Sequence, residues 1–154
     1  MGTEIERKFL LKNDTWRSLA GGIRYRQGYL NSTKECTIRV RTAGGSGYLT
    51  IKGPNKGAMR IEYEYEIPES DATAMLDDFC KKPIIEKNRH KIDFAGLVWE
   101  VDEFFGENTG LILAEIELER EDQAFEKPLW VGDEVTGDPR YYNANLVAHP
   151  YMKW

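Results

Sequence analysis

Cysteine and histidine are scarce in this sequence, two of each among 154 residues. Cys36 and Cys80 cannot build a disulfide framework, and His90 and His149 leave little room for a zinc site. Long apolar runs are missing too. The longest purely aliphatic stretch, Leu111 to Ala114, falls far short of the ~20 residues a bilayer crossing needs. Residues 1–12 are dense in charge and lack the apolar centre of a signal peptide. No G-x-x-x-x-G-K-[ST] loop is present, and Gly44 to Gly47 reads as a hairpin turn. Positive charge is not in excess either: 21 Lys and Arg stand against 26 Asp and Glu, a net −5 and a pI near 5.2. That argues against a broad nucleic-acid or anionic-membrane surface, though not against a local basic pocket. With 41% hydrophobic and 12% aromatic residues, there is enough apolar material for a core. The expectation is one globular domain over residues 1–154, located in the cytoplasm.

What is abundant is alternation. A period of two, the mark of strands, recurs near residues 3–11, 23–30, 35–42, 47–53, 58–67, 85–94, 97–105 and 111–119. Short turn-forming segments separate them: Asn31-Ser32-Thr33, Gly44 to Gly47, Pro54 to Gly57, Ala95-Gly96 and Gly106 to Gly110. One helix is predicted after the fifth strand. Ser70 can cap it, Ala72, Met75, Leu76 and Phe79 recur at helical spacing, and Pro83 stops it. Shorter helical pieces are predicted at 14–20, 120–126 and 140–147. Eight strands joined mainly by hairpins form an antiparallel sheet, and eight is a number at which such a sheet closes into a barrel.

The polar face of these strands is charged rather than merely hydrophilic. Glu4, Glu6 and Lys8 share one face of the first strand. Arg39 and Arg41 share one in the third, and the fourth ends on Lys52. Arg60, Glu62, Glu64 and Glu66 alternate in the fifth, Lys87 and Arg89 in the sixth, Glu100 and Asp102 in the seventh, and Glu115, Glu117 and Glu119 in the eighth. An exposed amphipathic sheet is the simplest account. Against it, like charges stand two residues apart on one face, where they repel unless something bridges them. Clustered carboxylates are tolerated when they ligate hard divalent cations, and clustered guanidinium and ammonium groups when they bind phosphate. A barrel with these faces turned inward suits a metal-bound polyanion.

Glu4-Ile5-Glu6-Arg7-Lys8 is an E-x-E-x-K pattern. Together with Arg39-Val40-Arg41, Lys52, Glu62-Tyr63-Glu64, Lys87-Asn88-Arg89, Asp102 and Glu115-Ile116-Glu117, in this order, it resembles the CYTH domain, also called the triphosphate tunnel metalloenzymes. The tail from Gly132 to Leu146 resembles the short bacterial members. The resemblance implies a mainly β, eight-stranded antiparallel barrel with a few peripheral helices and a polar lumen as active site. It implies Mg²⁺ or Mn²⁺, one or two ions, held among Glu4, Glu6, Glu62, Glu64, Asp102, Glu115 and Glu117. It implies phosphate binding by Lys8, Arg39, Arg41, Lys52, Arg60, Lys87 and Arg89. Tyr29 is either a substrate contact or a barrel-end aromatic. Catalysis would centre on Glu4, Glu6, Lys8, Lys52, Glu62, Glu64 and Lys87.

By that resemblance the activity is metal-dependent hydrolysis of a small-molecule triphosphate, with inorganic tripolyphosphate the first choice. Too few residues remain outside the strands for a nucleobase or thiazolium pocket. Thiamine or nucleoside triphosphate hydrolysis, adenylate cyclisation and non-catalytic polyphosphate binding are the alternatives. No nucleic-acid partner is expected, an RNA 5′-triphosphate being the one left open, and no membrane. The chain would act as monomer or homodimer.

Overall fold

The computed structural model describes residues 2–154. Nine strands follow one another as β1 (Gly2–Leu11), β2 (Gly22–Ser32), β3 (Thr37–Ala43), β4 (Ser46–Lys52), β5 (Met59–Ile67), β6 (Ile85–Phe94), β7 (Leu97–Phe104), β8 (Ile112–Leu118) and β9 (Val131–Glu134). Helix α1 (Glu69–Asp78) lies between β5 and β6, and a single helical turn, α2 (Asn145–Ala148), lies near the end. The sheet order is β5-β4-β3-β2-β6-β7-β8-β1-β9, and β5 pairs again with β1, so eight antiparallel strands close into a barrel. The closing register puts Gly2 opposite Glu62 and Glu4 opposite Arg60. Gly44 and Gly45, at φ of 55° and 88°, form the two-residue turn that joins β3 to β4 with Ala43 opposite Ser46.

Because strand side chains alternate, the charged face points into the lumen and the apolar face outward. Two of the three apolar clusters therefore lie outside the barrel, and the third fills one end of its interior. Ile5, Phe9, Ile92, Trp99, Val101 and Ile116 are covered by Trp16, Phe125, Trp130 and Val131. Inside one end, Ile85, Phe104 and Leu113, on the same strand faces as Lys87, Asp102 and Glu115, pack with Tyr29, Leu111, Tyr141, Leu146 and Val147. Val40 and Leu49 lie beneath α1 through Ala72, Met75 and Leu76. Gly28 of β2 makes the last contact possible: a Cβ there would stand 2.7 Å from the Cys80 Cβ at the end of α1. Gly28→Ala is expected to cost about 1–3 kcal/mol of overpacking, read as a lower midpoint in urea unfolding.

Several expectations need correction. Ser70 does not cap α1; the helix begins at Glu69 after Pro68, and Glu69 and Asp71 sit in its first turn, where negative charge suits the helix dipole. It ends at Asp78, ahead of Pro83. The segment 120–126 is a turn followed by extended chain, not a helix. The Gln123 side chain accepts from the Glu119 backbone N–H at 2.7 Å, and Phe125 packs edge-on against Phe9 and Trp99. The 14–20 piece is a short 3₁₀ turn at Thr15–Ser18. The 140–147 piece splits into a 3₁₀ turn at Pro139–Tyr141 and α2, with Tyr142 extended between them. Strand β9 escaped the pattern because Val131-Gly132-Asp133-Glu134 has no alternation of its own. It is held to β1 by Arg7, whose Nε and Nη2 donate to Glu134 at 2.8 and 2.6 Å.

Candidate active site

One cavity of about 980 Å³ occupies the barrel, lined by residues from all eight strands of the closed sheet except β7's Asp102 position, where Glu100 takes part instead. Glu4, Glu6 and Lys8 enter from β1, Tyr29 from β2, Arg39 and Arg41 from β3, and Lys52 from β4. Arg60, Glu62 and Glu64 enter from β5, Lys87 and Arg89 from β6, and Glu115 and Glu117 from β8. The exposed-sheet account is thus excluded. The two further alternating carboxylates, Glu66 and Glu119, do not reach the cavity.

The cavity has an acidic wall where β1, β5 and β8 meet. Glu6 stands opposite Glu117 and Lys8 opposite Glu115 across β1 and β8. Burial, then Glu115, pushes the Glu6 carboxyl well above the usual range. Burial pushes up Glu4 also, reinforced by a hydrogen bond shared with Glu62. Burial with Glu4 and Glu100 nearby raises Glu117. Their partners go the other way. Burial opposes ionisation of Glu115, but Lys8, Glu6 and Arg89 hold it well below the ordinary range; Glu62 is held down by Glu4 and Lys52 despite its burial. Within two carboxyl pairs, Glu4–Glu62 and Glu6–Glu115, one member is thus pushed up while its partner is held down. Lys52 supplies the nearest cation, 3.0 Å from Glu4 Oε1 and 3.7 Å from Glu62 Oε2.

Facing it is a basic wall. Arg39 and Arg41 both reach Glu64 Oε1, at 3.4 and 3.3 Å, and the Thr50 hydroxyl donates to that oxygen at 2.8 Å. The Nε–H groups of both arginines are buried with no partner. Burial, then Arg39 and Arg89, lowers Arg41 to about 10. Tyr25 separates two of these cations, with the Arg41 and Arg89 guanidinium carbons each 5.0 Å from its ring centre. Such crowding, with donors left over, is the arrangement an anion would relieve.

Asp102 requires a correction. It does not line the cavity and is almost wholly buried behind the basic wall. Arg89 grips both its oxygens, at 2.7 and 2.8 Å, and Lys87 Nζ lies 2.8 Å from Oδ2. Burial would raise this carboxyl, but Arg89 and Lys87 hold it below its ordinary range. Three donors from two cations meet its oxygens, so it holds Arg89 and Lys87 in place from outside the cavity lining. Burial in turn lowers Lys87 to about 8 despite Asp102. Arg60 lines the cavity, yet its Nε donates to the Gly53 carbonyl at 2.8 Å, tying the loop after β4.

Other lining residues carried no motif. Glu100 had only its shared face with Asp102 to mark it, Lys91 lies two beyond Arg89 on β6, and Asn143 comes from the tail. His90 lies outside the cavity, with Nδ1 3.1 Å from the Ala20 carbonyl.

The chain matches the model of the CYTH domain over residues 2–151. The chain belongs to the CYTH family. It is 56% identical, over 100% of its length and 99% of the relative's, to a protein of Acetivibrio thermocellus named inorganic triphosphatase. A Nitrosomonas europaea protein of the same name is 38% identical over 94% of this chain and 96% of its own. The crystal structure of the inorganic triphosphatase NE1496 superposes with a TM-score of 0.66 at 35% identity, covering 93% of this chain and 96% of that one. The closed eight-stranded CYTH barrel, with one added strand, is therefore the fold of this chain.

A CYTH lumen of this kind calls for a divalent ion. Among the described residues no three carboxylate, cysteine or histidine groups stand ready-made as a ligand set. The donor chemistry fits nonetheless. All the acidic groups offer hard oxygens, and burial beside a like charge in the two carboxyl pairs is a condition a hard cation would relieve. The pH dependence of the metal-free protein follows from the same shifts. Glu6 and Glu4 have folded-state values above their unfolded ones, so their contribution is full below about pH 4.5 and is lost as pH rises through the raised values. Asp102 and Glu115, depressed on folding, contribute above their unfolded values and fail in acid. Chelator-treated protein is expected to melt highest in mildly acidic buffer and to lose stability towards pH 8. A divalent cation should restore stability at pH 8, and Glu6→Gln should weaken both effects. A melting temperature in scanning calorimetry that is flat from pH 5 to 8 would refute this.

Proposed function

We propose that this chain is a metal-dependent phosphohydrolase that cleaves the terminal phosphoanhydride of a linear triphosphate, inorganic tripolyphosphate foremost, to diphosphate and phosphate. The observation that carries the reading is the pairing within one cavity of crowded, under-partnered guanidinium groups with a wall of crowded carboxylates. The names of the relatives agree with it.

Glu4, Glu6, Glu62 and Glu117 are the metal-holding residues of choice, because Glu64 is engaged by Arg39, Arg41 and Thr50 and Glu115 by Arg89. Mg²⁺ or Mn²⁺ bound there supplies charge neutralisation of phosphate oxygens and a more acidic water. The protein's own part is positioning and electrostatics, which carry most of phosphoryl transfer. Arg39, Arg41 and Arg89 present planar forks to non-bridging oxygens, while Lys8, Lys52 and Lys87 act as point charges. Asp102 keeps Arg89 and Lys87 in place. No protein nucleophile is required.

The only aromatics lining the cavity, among the described residues, are Tyr25, Tyr29 and Tyr142. Tyr25 already contacts two guanidinium groups, so a purine finds no open stacking platform beside it. This favours an inorganic chain over a nucleotide. Phosphate release from tripolyphosphate, thiamine triphosphate and ATP, measured side by side, tests the order of preference. Tripolyphosphate is expected to turn over fastest; ATP hydrolysed as well or better, or cyclic AMP among the products, would overturn it.

A further inference from the structure

A chain of hydrogen bonds runs from the basic wall to Tyr29, and its direction is fixed at one end. Lys87 Nζ lies 2.8 Å from Asn143 Oδ1. An ammonium group has three donors and no acceptor, so the amide atom facing it is the oxygen. The same Oδ1 lies 3.1 Å from the Gln27 amide. Two oxygens there would repel, so Gln27 turns its NH₂ towards Asn143. That NH₂ also lies 2.9 Å from the Tyr29 hydroxyl. The Tyr29 oxygen therefore accepts from Gln27, and its own proton must be given elsewhere.

Three features show where. Tyr29 lines the cavity. The charged groups acting on it are Arg39, Lys8 and Arg41, none of which accepts a hydrogen bond. Gln27 is fully buried, and its Oε1 is left without a partner, the cost of holding the amide this way round. Turning the amide over would set Oε1 against Asn143 Oδ1, which Lys87 prevents.

We propose that Gln27 and Asn143 are positioning residues that fix this polarity, and that Tyr29 consequently donates its O–H to a non-bridging oxygen of the bound phosphate chain. The inference rests on the phosphohydrolase reading above and assigns two residues to it that touch no substrate. Gln27 and Tyr29 are two apart on the inner face of β2. Asn143 arrives from 116 residues away, on the tail segment that extended Tyr142 directs towards the barrel.

The test is a double-mutant cycle of Tyr29→Phe and Gln27→Met. Calorimetry gives the affinity of chelator-treated protein for tripolyphosphate, kinetics with Mg²⁺ or Mn²⁺ give KM and kcat, and melting temperature checks folding. Tyr29→Phe removes one hydroxyl. It is expected to weaken tripolyphosphate binding and raise KM by about tenfold or more, the range for a hydrogen bond to a charged group, with a much smaller change in kcat. Gln27→Met should weaken binding in the wild-type background and add nothing once Tyr29 is phenylalanine. A Tyr29→Phe protein that binds as tightly as wild type, or losses that multiply in the double variant, overturns the proposal. Wild-type protein that neither binds nor hydrolyses tripolyphosphate ends the phosphohydrolase reading as well. Wild-type turnover with an unaffected Tyr29→Phe ends this one alone.

Discussion

Arg41→Ala is expected to lower kcat/KM for tripolyphosphate by about 10²–10³-fold, the loss typical of one preorganised donor at a developing charge. Arg41 has an unpartnered buried Nε–H, and burial, with Arg39 and Arg89 crowding it, lowers its pKa to about 10. An anion in the cavity resolves both conditions, so removing the side chain removes a contact that only the substrate completes. The metal-free fold should barely notice, because the substitution also relieves repulsion among three cations. Arg41→Lys should recover little, since an ammonium cannot reproduce a planar fork. The check is steady-state phosphate release beside a thermal melt. Activity within tenfold of wild type would remove Arg41 from the phosphate grip.

Asp102→Leu is expected to act through stability first. The carboxylate lies between Arg89 and Lys87 with almost no exposure. Its removal leaves two buried cations without their main counter-charge, a loss of about 3–5 kcal/mol for a buried pair broken on one side. Urea unfolding should show a lower midpoint with little change in slope. Lys87→Met in the same background should restore part of the loss, because one uncompensated cation then disappears. Activity should fall with Asp102→Leu as well, since Arg89 loses its bidentate hold. An unchanged midpoint would mean that the pair is solvated and that Asp102 is not its anchor.

Much of the site was legible because strand geometry is simple. With a period of two, Glu4, Glu6 and Lys8 must share a face, and so must Lys87 and Arg89; the barrel only had to turn those faces inward. What parity cannot report is depth. Asp102 and Glu100 share a face of β7, yet Glu100 lines the cavity while Asp102 is buried beneath Arg89 and Lys87. Asn143 was invisible as a site residue for another reason. Its place depends on the break at Tyr142, where a helix was predicted to run through. Strand β9 has no pattern because its existence depends on β1 and on Arg7 reaching Glu134. The start of α1 differed because Pro68 sets the boundary earlier than a serine cap would.

Two of the apolar clusters that hold this molecule together lie on the outer surface of the tube, and the third stops one end of it from within. Away from that stopped end, scaffold and chemistry therefore draw on separate sets of side chains, one from each face of the same strands. A change of substrate among proteins built this way needs no new loop; a few exchanges on the charged inner faces suffice, while the girdle outside and the apolar stopper at one end keep the strands in register.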